Sequence, residues 1–164
     1  MSRRRRKGEW YRYHHLFQEF LRRRLQAGTS AEQRAALHAA ASRWLEQHDA
    51  IEAALDHALA ADDLDLAAAI IARQRYRLLT ETRWPQIERC LRRLPPDALQ
   101  RYPHVLMLQM WQLYQTGKWA RLPDAVSRVE AALAREALDP EEARRLRGEL
   151  STVAGLRAFI AADA

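Results

Sequence analysis

The chain has 164 residues, 48% of them apolar and 29% charged, with a formal net charge of +6; that suffices for one well-buried unit or a short array of repeats and excludes a disordered chain. No stretch approaches the roughly 20 uninterrupted apolar residues of a membrane-crossing helix, and the basic N-terminus runs into Trp, Tyr and His instead of the apolar core of a secretory signal, so a cytoplasmic protein without membrane contacts is expected. Cys90 is the lone cysteine, which excludes an internal disulfide and a thiolate zinc cluster and leaves it as a small apolar spacer.

The positive excess is local. Nine of the 27 Lys and Arg residues lie in residues 1–27 against only Glu9 and Glu19, chiefly as the run Arg3, Arg4, Arg5, Arg6 and Lys7. A terminal run of like charge reads as a solvated arm, with phosphate or nucleic-acid contact as its other reading.

With 5 Gly and 6 Pro, and no alternation of β-branched with polar residues, helix is the default. A first helix is predicted from Tyr13 to about Ala27, with the stripe Leu16, Phe17, Phe20, Leu21 and Leu25, a solvated Arg22-Arg23-Arg24 near its end, and Gly28 as the stop. Thr29 or Ser30 then offers an N-cap, with Glu32 or Gln33 as the capping-box partner. A second helix to about His48 carries Leu37, Ala41, Trp44 and Leu45 on its core side, and Asp49 is expected to cap the next. Ile51, Ala54, Leu55, Ala58 and Leu59 give the third helix the cleanest period in the chain. The stretch from Glu46 to Asp65 holds seven acids and no Lys or Arg, predicting a solvent-facing belt that repels a phosphate backbone.

After Asp62-Asp63 a fourth helix begins near Leu64, with Ala67, Ala68, Ile70 and Ile71 letting it pack closely on the third as a hairpin. A fifth, from about Trp84 to Leu94, stops at Pro95-Pro96. From Pro103 the run VLMLQMWQLY is apolar nearly all round and predicts the most buried helix, closed by Gly117. Trp119, Leu122, Val126, Val129 and Leu133 form a narrow seam, with Pro123 harmless in the first turn. A last helix after Asp139-Pro140 carries Leu146, Leu150, Val153 and Ile160. Trp44, Trp111 and Trp119 all fall on apolar stripes and read as core.

HALAADDLDLAAAII around Asp62 and QLYQTGKWARLPDAV around Gly117 share a plan of apolar helix, tight break and second helix. The plan resembles the tetratricopeptide turn, although Leu122 stands where the alanine is expected and the two breaks are 55 residues apart against a usual period of about 34. WYRYHHLFQEFLRRRL, followed by ALHAAASRWLEQHDAIEAALDHALAADDLDLAAAII, resembles the segment joining the winged-helix and helical-repeat regions of MalT-like, ATP-dependent transcription regulators of the LuxR class. WPQIERCLRRLPPDALQRYPHVLMLQMWQLYQTGKWA is similar to the next part of that region.

The resemblance implies an all-α fold of antiparallel helical hairpins stacked as a tetratricopeptide-like right-handed superhelix. Residues 1–28 would be a basic arm and winged-helix remnant, and residues 29–164 the repeat region. The implied function is a sensor and protein-interaction segment that couples nucleotide state to self-association and transcription activation. Its implied partners are other copies, other domains of the regulator and a small-molecule inducer. DNA contact is implied only through a C-terminal helix-turn-helix that this sequence lacks. ATP or ADP belongs to a STAND nucleotide domain, and no GxxxxGK[ST] occurs here, so the sequence reads as the middle of such a protein with no cofactor of its own. Trp10 to Tyr13 would be the last strand of the winged helix, and His14 the histidine that touches the β-phosphate of bound ADP.

No catalytic set of side chains emerges, so an enzyme is not expected. His14-His15 lack ligand geometry, and His38, His48, His57 and His104 lack ligand spacing, so no metal is expected. An open C-terminal end of the stack would leave apolar surface exposed. The rival reading is a small basic nucleic-acid-binding protein that uses Arg3 to Lys7 and Arg22 to Arg24.

Overall fold

Three-residue breaks organise this chain. The computed structural model describes residues 14–162, which are all-α: among the described residues no strand is formed. The helices are α1 (His15–Gly28), α2 (Ala31–Gln47), α3 (Ile51–Ala60), α4 (Leu64–Thr80), α5 (Trp84–Arg93), the short α6 (Ala98–Arg101), α7 (Pro103–Gln115), α8 (Leu122–Arg135) and α9 (Pro140–Ala162), with one 3-10 turn, Trp119–Arg121, before α8. None of the described helices is long and apolar enough to cross a membrane.

The breaks after α2, α3, α4 and α7 are built alike. Asp49, Asp62, Thr82 and Gly117 sit at their centres with φ of 62°, 58°, 52° and 69°. In each break the central N–H bonds the carbonyl three residues back, and the next N–H reaches five residues back: Asp49 to Glu46 and Ala50 to Leu45, Asp62 to Leu59 and Asp63 to Ala58, Thr82 to Leu79 and Arg83 to Leu78, Gly117 to Tyr114 and Lys118 to Leu113. This is the Schellman closure, which satisfies the last carbonyls of a helix inside three residues and turns the chain straight back. Asp49 therefore ends α2; it does not cap α3, whose N-cap is Ala50. Ser30 and Gln33 form the reciprocal capping box of α2.

Asp49, Thr82 and Gly117 follow one another at 33 and 35 residues, a tighter period than the 55 between Asp62 and Gly117. The equivalent hairpins are α2 with α3, α4 with α5, and α7 with α8, and Asp62 marks the return from one hairpin to the next. Side chains at matching places in successive hairpins meet: Arg83 with Asp49, Arg89 with Glu52, Arg93 with Asp56, Tyr102 with Asp65 and Trp111 with Glu149, at separations of 34, 37, 37, 37 and 38 residues. The acidic belt is thus answered by arginines of the next hairpin, with Arg73 forking onto Glu46 at 2.9 and 2.7 Å. Exposed pairs of this kind contribute about 0.2–1 kcal/mol each. A fully buried Leu or Ile contributes about 1.5–3. Apolar faces hold the stack, and the pairs select its register.

Two cores run through it. Ile51, Leu55, Ile70, Ile71 and Ile87 anchor the first; Met107, Met110, Leu122, Val129 and Leu146 anchor the second. α7 serves both, sending Val105 and Leu108 to one and Leu106 and Leu113 to the other, as its all-round apolar sequence predicts. α2 departs from expectation. It packs on α3 through small residues, with Ser42 fully buried and donating to the Ala54 carbonyl at 2.7 Å, and this close approach turns Leu37 and Trp44 outward, about half exposed. Trp119 is also outside the core at 47% exposure, because the 3-10 turn rotates it off the seam that Leu122, Val129 and Leu133 keep. Leu146, Leu150 and Val153 of α9 are buried as predicted; the Ile160 side chain lies outside the described residues.

Thr82 and Gly117 give opposite tests of the closure. A β-branched residue in the left-handed region is strained by about 1–2 kcal/mol, less the entropy that glycine adds to the unfolded chain, so Thr82→Gly should raise stability by roughly 0.5–1 kcal/mol. Gly117→Ala, with open space around the new Cβ, should lower it by about 1 kcal/mol. Thermal melts of both variants check the pair.

Candidate functional site

Ala68, Ile71, Arg75 and Leu78 succeed one another on α4 at steps of three and four, and all are buried. The helical period that builds the core therefore drives a guanidinium into it. A buried cation needs an anion. Glu149 of α9, set between Leu146 and Leu150, supplies one. Arg75 Nη1 donates to Glu149 Oε2 and Nη2 to Oε1 at 3.1 Å; the Tyr76 hydroxyl donates to Oε1, and the Trp111 indole N–H of α7 to Oε2 at 3.4 Å. Four donors fill the acceptor sites of one carboxylate.

Burial alone would push the Glu149 carboxyl up; the bonds from Arg75 and Tyr76 outweigh it and hold the carboxyl below its ordinary value of 4.5. The bond to Glu149, aided by burial, pushes the Tyr76 phenol up. The Arg75 guanidinium lies 4.5 Å from the Tyr76 ring centroid, a cation–π contact. Beside this clasp His104 of α7 meets Glu142 of α9 at 2.9 Å, and burial first, then the Arg75 charge, lowers its pKa. Arg75 Nε and His104 Nδ1 are buried without a hydrogen-bond partner.

On the outer side of the clasp lies a half-open cleft of about 300 Å³, lined by Tyr76, Leu79, Thr80, Trp84, Trp111, Gln115 and Glu149. Helices α4, α5, α7 and α9 each contribute to it. None of these residues stood out as a site in the sequence. The available signals were an arginine on the buried stripe of α4 and an acid between two leucines of α9.

The sequence-selected residues fall elsewhere. His14 is the exposed residue before α1, makes no capping bond, and has its ring 4.4 Å from that of His15. The stripe of α1 is open to solvent: Leu16 is 62% exposed and Phe20 54%, and Leu21 and Leu25 are exposed as well. The exposed large apolar side chains among the described residues thus concentrate at the N-terminal end, and the side chains beyond Gly155 lie outside the described residues. Arg3, Arg4, Arg5, Arg6 and Lys7, the strand expected at Trp10 to Tyr13, and the side chain of Arg22 also lie outside them. Arg23 and Arg24 are exposed.

Spacing missed one histidine contact: His38 of α2 and His57 of α3 face each other with Nδ1 atoms 2.9 Å apart. Burial, then the neighbouring His38, lowers the His57 pKa against the pull of Asp56. Among the described residues no group of three or more His, Cys, Asp or Glu is placed to hold a metal ion. Cys90 is fully buried, and burial, then the Glu52 charge, pushes its thiol up to about 11, which keeps it protonated and inert.

Residues 1–36 match the family described as the MalT winged helix domain. Over 157 residues, 96% of the chain, the sequence is 31% identical to the HTH-type transcriptional regulator MalT of Yersinia enterocolitica, and the chain spans only 17% of that relative's length. No solved structure matches.

Removing one partner of the clasp is expected to cost more than removing both. Glu149→Ala removes the one carboxylate that Arg75 bonds and should cost about 3–5 kcal/mol, whereas Arg75→Met with Glu149→Leu should be near neutral. The depressed Glu149 pKa means that its contribution is present above pH 4.5 and is lost as the pH falls below it. Urea unfolding as a function of pH should show that acid loss in the native chain and a smaller one in the double variant.

Proposed function

We propose that this chain, MalT-like over nearly its whole length, serves a transcription regulator as the junction and opening hairpins of a tetratricopeptide-like right-handed superhelix that works by protein contact. In this reading residues 1–28 are the arm and winged-helix remnant, and residues 29–164 are the repeat region.

The observation that carries the reading is the recurrence, in five bonded pairs along the stack, of a separation of 34–38 residues. Each hairpin packs an apolar face on its successor, and the first adds a row of acids paired with arginines of the second, as a repeat stack requires. The open stripe of α1 gives the N-terminal end a surface for a neighbouring domain or a second copy.

His14 would report nucleotide state. It stands at the N-terminal end of α1 with its imidazole uncommitted to capping, where ring and helix N–H groups can both face a phosphate. One histidine does not cradle a nucleotide. ATP or ADP would be held by a domain elsewhere in the regulator, and DNA would be read by another. The segment between them would pass a signal through packing, with an inducer as the second input.

Light scattering over a concentration series tests the contact surface. The native chain should gain mass with concentration, while Leu16→Ser with Phe20→Ser and Leu25→Ser should remain monomeric and melt within about 1 kcal/mol of native stability, because all three side chains are exposed. A native chain that stays monomeric throughout would count against the proposal.

A further inference from the structure

We propose that the cleft bounded by α4, α5, α7 and α9 binds a neutral, ring-sized apolar group, and that this occupant loosens the four-donor clasp on Glu149. The inference rests on the reading of this region as a sensor, and it names the ligand class.

The walls select the ligand. Tyr76, Trp84 and Trp111 present three aromatic rings, Leu79 adds an aliphatic surface, and the space of about 300 Å³ stands at the small end of ligand pockets. Its carboxylate and its threonine hydroxyl are already engaged. Glu149 has all four acceptor sites occupied, and the Thr80 hydroxyl donates to the Tyr76 carbonyl of its own helix at 2.9 Å. A cation entering here meets a carboxylate already neutralised by Arg75. A polyol has only the Gln115 amide, the Trp84 indole N–H and the remaining lone pairs of the Tyr76 and Thr80 hydroxyls to replace the water its hydroxyls give up. A flat apolar group gives up nothing and covers exposed ring surface.

The same walls carry the consequence. Tyr76 and Trp111 are both cleft lining and donors to Glu149, so a group inserted between their rings moves the donors with the rings. Arg75 has somewhere to go when they leave. It grips Glu149 through its two Nη groups, while its Nε, buried and without an acceptor, leaves the side-on Nε and Nη2 fork unused. Exchanging one fork for the other reseats the carboxylate and with it α9, the last described helix of the stack. A small apolar ligand would in this way be read as a change in α9.

The test uses the full 164-residue chain, labelled with ¹⁵N, and follows the tryptophan indole N–H signals during titration with indole, with glucose and benzamidine in parallel. Indole should shift the Trp84 and Trp111 signals saturably, leave those of Trp44 and Trp119 in place, and speed amide exchange over residues 146–153. Gln115→Trp, which fills the mouth from an exposed position, should weaken binding roughly tenfold with an unchanged melt, and Trp119→Phe should bind as the native chain does. The proposal is overturned by an absence of saturable shifts, by an equal response to glucose or benzamidine, or by indole binding that leaves α9 exchange unchanged. Self-association is read separately as mass, so a cleft that takes no indole removes this inference alone.

Discussion

The three-residue left-handed break is what makes a stack out of these helices. A helix can end in many ways, but when the second amide past its end bonds back to the last turn, the carbonyls are satisfied at once and the chain must reverse. Four repetitions of that closure, centred on Asp49, Asp62, Thr82 and Gly117, end α2, α3, α4 and α7 in the same way and send the chain back along itself each time. Five bonded pairs of side chains 34–38 residues apart meet where neighbouring hairpins adjoin.

Charge acts within this frame and does not create it. An acidic stretch facing water would repel phosphate; Glu46, Asp49, Glu52 and Asp56 are instead each matched by an arginine of the following hairpin. Pairs this exposed add little stability, but a slip of one hairpin past the next would leave these acids and arginines unpaired. Alanine and serine on the α2–α3 face act in the same direction, since two backbones approach closely only where side chains are short. The cost is borne by Leu37 and Trp44, left on the outside.

The clasp around Glu149 differs from these surface pairs. Arg75 is 1% exposed, and desolvating a charge to that degree is tolerated only because four donors converge on one carboxylate. It joins α4, α7 and α9, three elements that are distant in sequence and bound two apolar cores. Its ring-bearing donors also face solvent across a cleft. A polar cluster that fastens three helices and forms one wall of an open pocket couples whatever enters the pocket to how those helices pack.

Helix existence was legible residue by residue. Ile51, Ala54, Leu55 and Ala58 announce α3, the run after Pro103 announces α7, and Thr29 with Glu32 or Ser30 with Gln33 announces the start of α2, the second pair being the one formed, because period and capping are local properties. Which of two apolar stripes faces inward was not legible for α2: Leu37 and Trp44 are larger than their buried neighbours, and only the distance to α3 decides against them. The period of the breaks was hidden for a related reason. Asp49 and Thr82 adopt a conformation that glycine would advertise and that aspartate and threonine do not.

Residue order alone was enough for an all-α chain, for the place of each long helix, and for the likeness to MalT-like regulators. The tertiary structure decided what stands next to what: Arg75 against Glu149 across 74 residues, the acids of one hairpin against the arginines of the next, and three rings around one cleft. Local hydrogen bonding sets a helix from its own few residues, whereas a contact between distant helices depends on the angle and register of every turn between them.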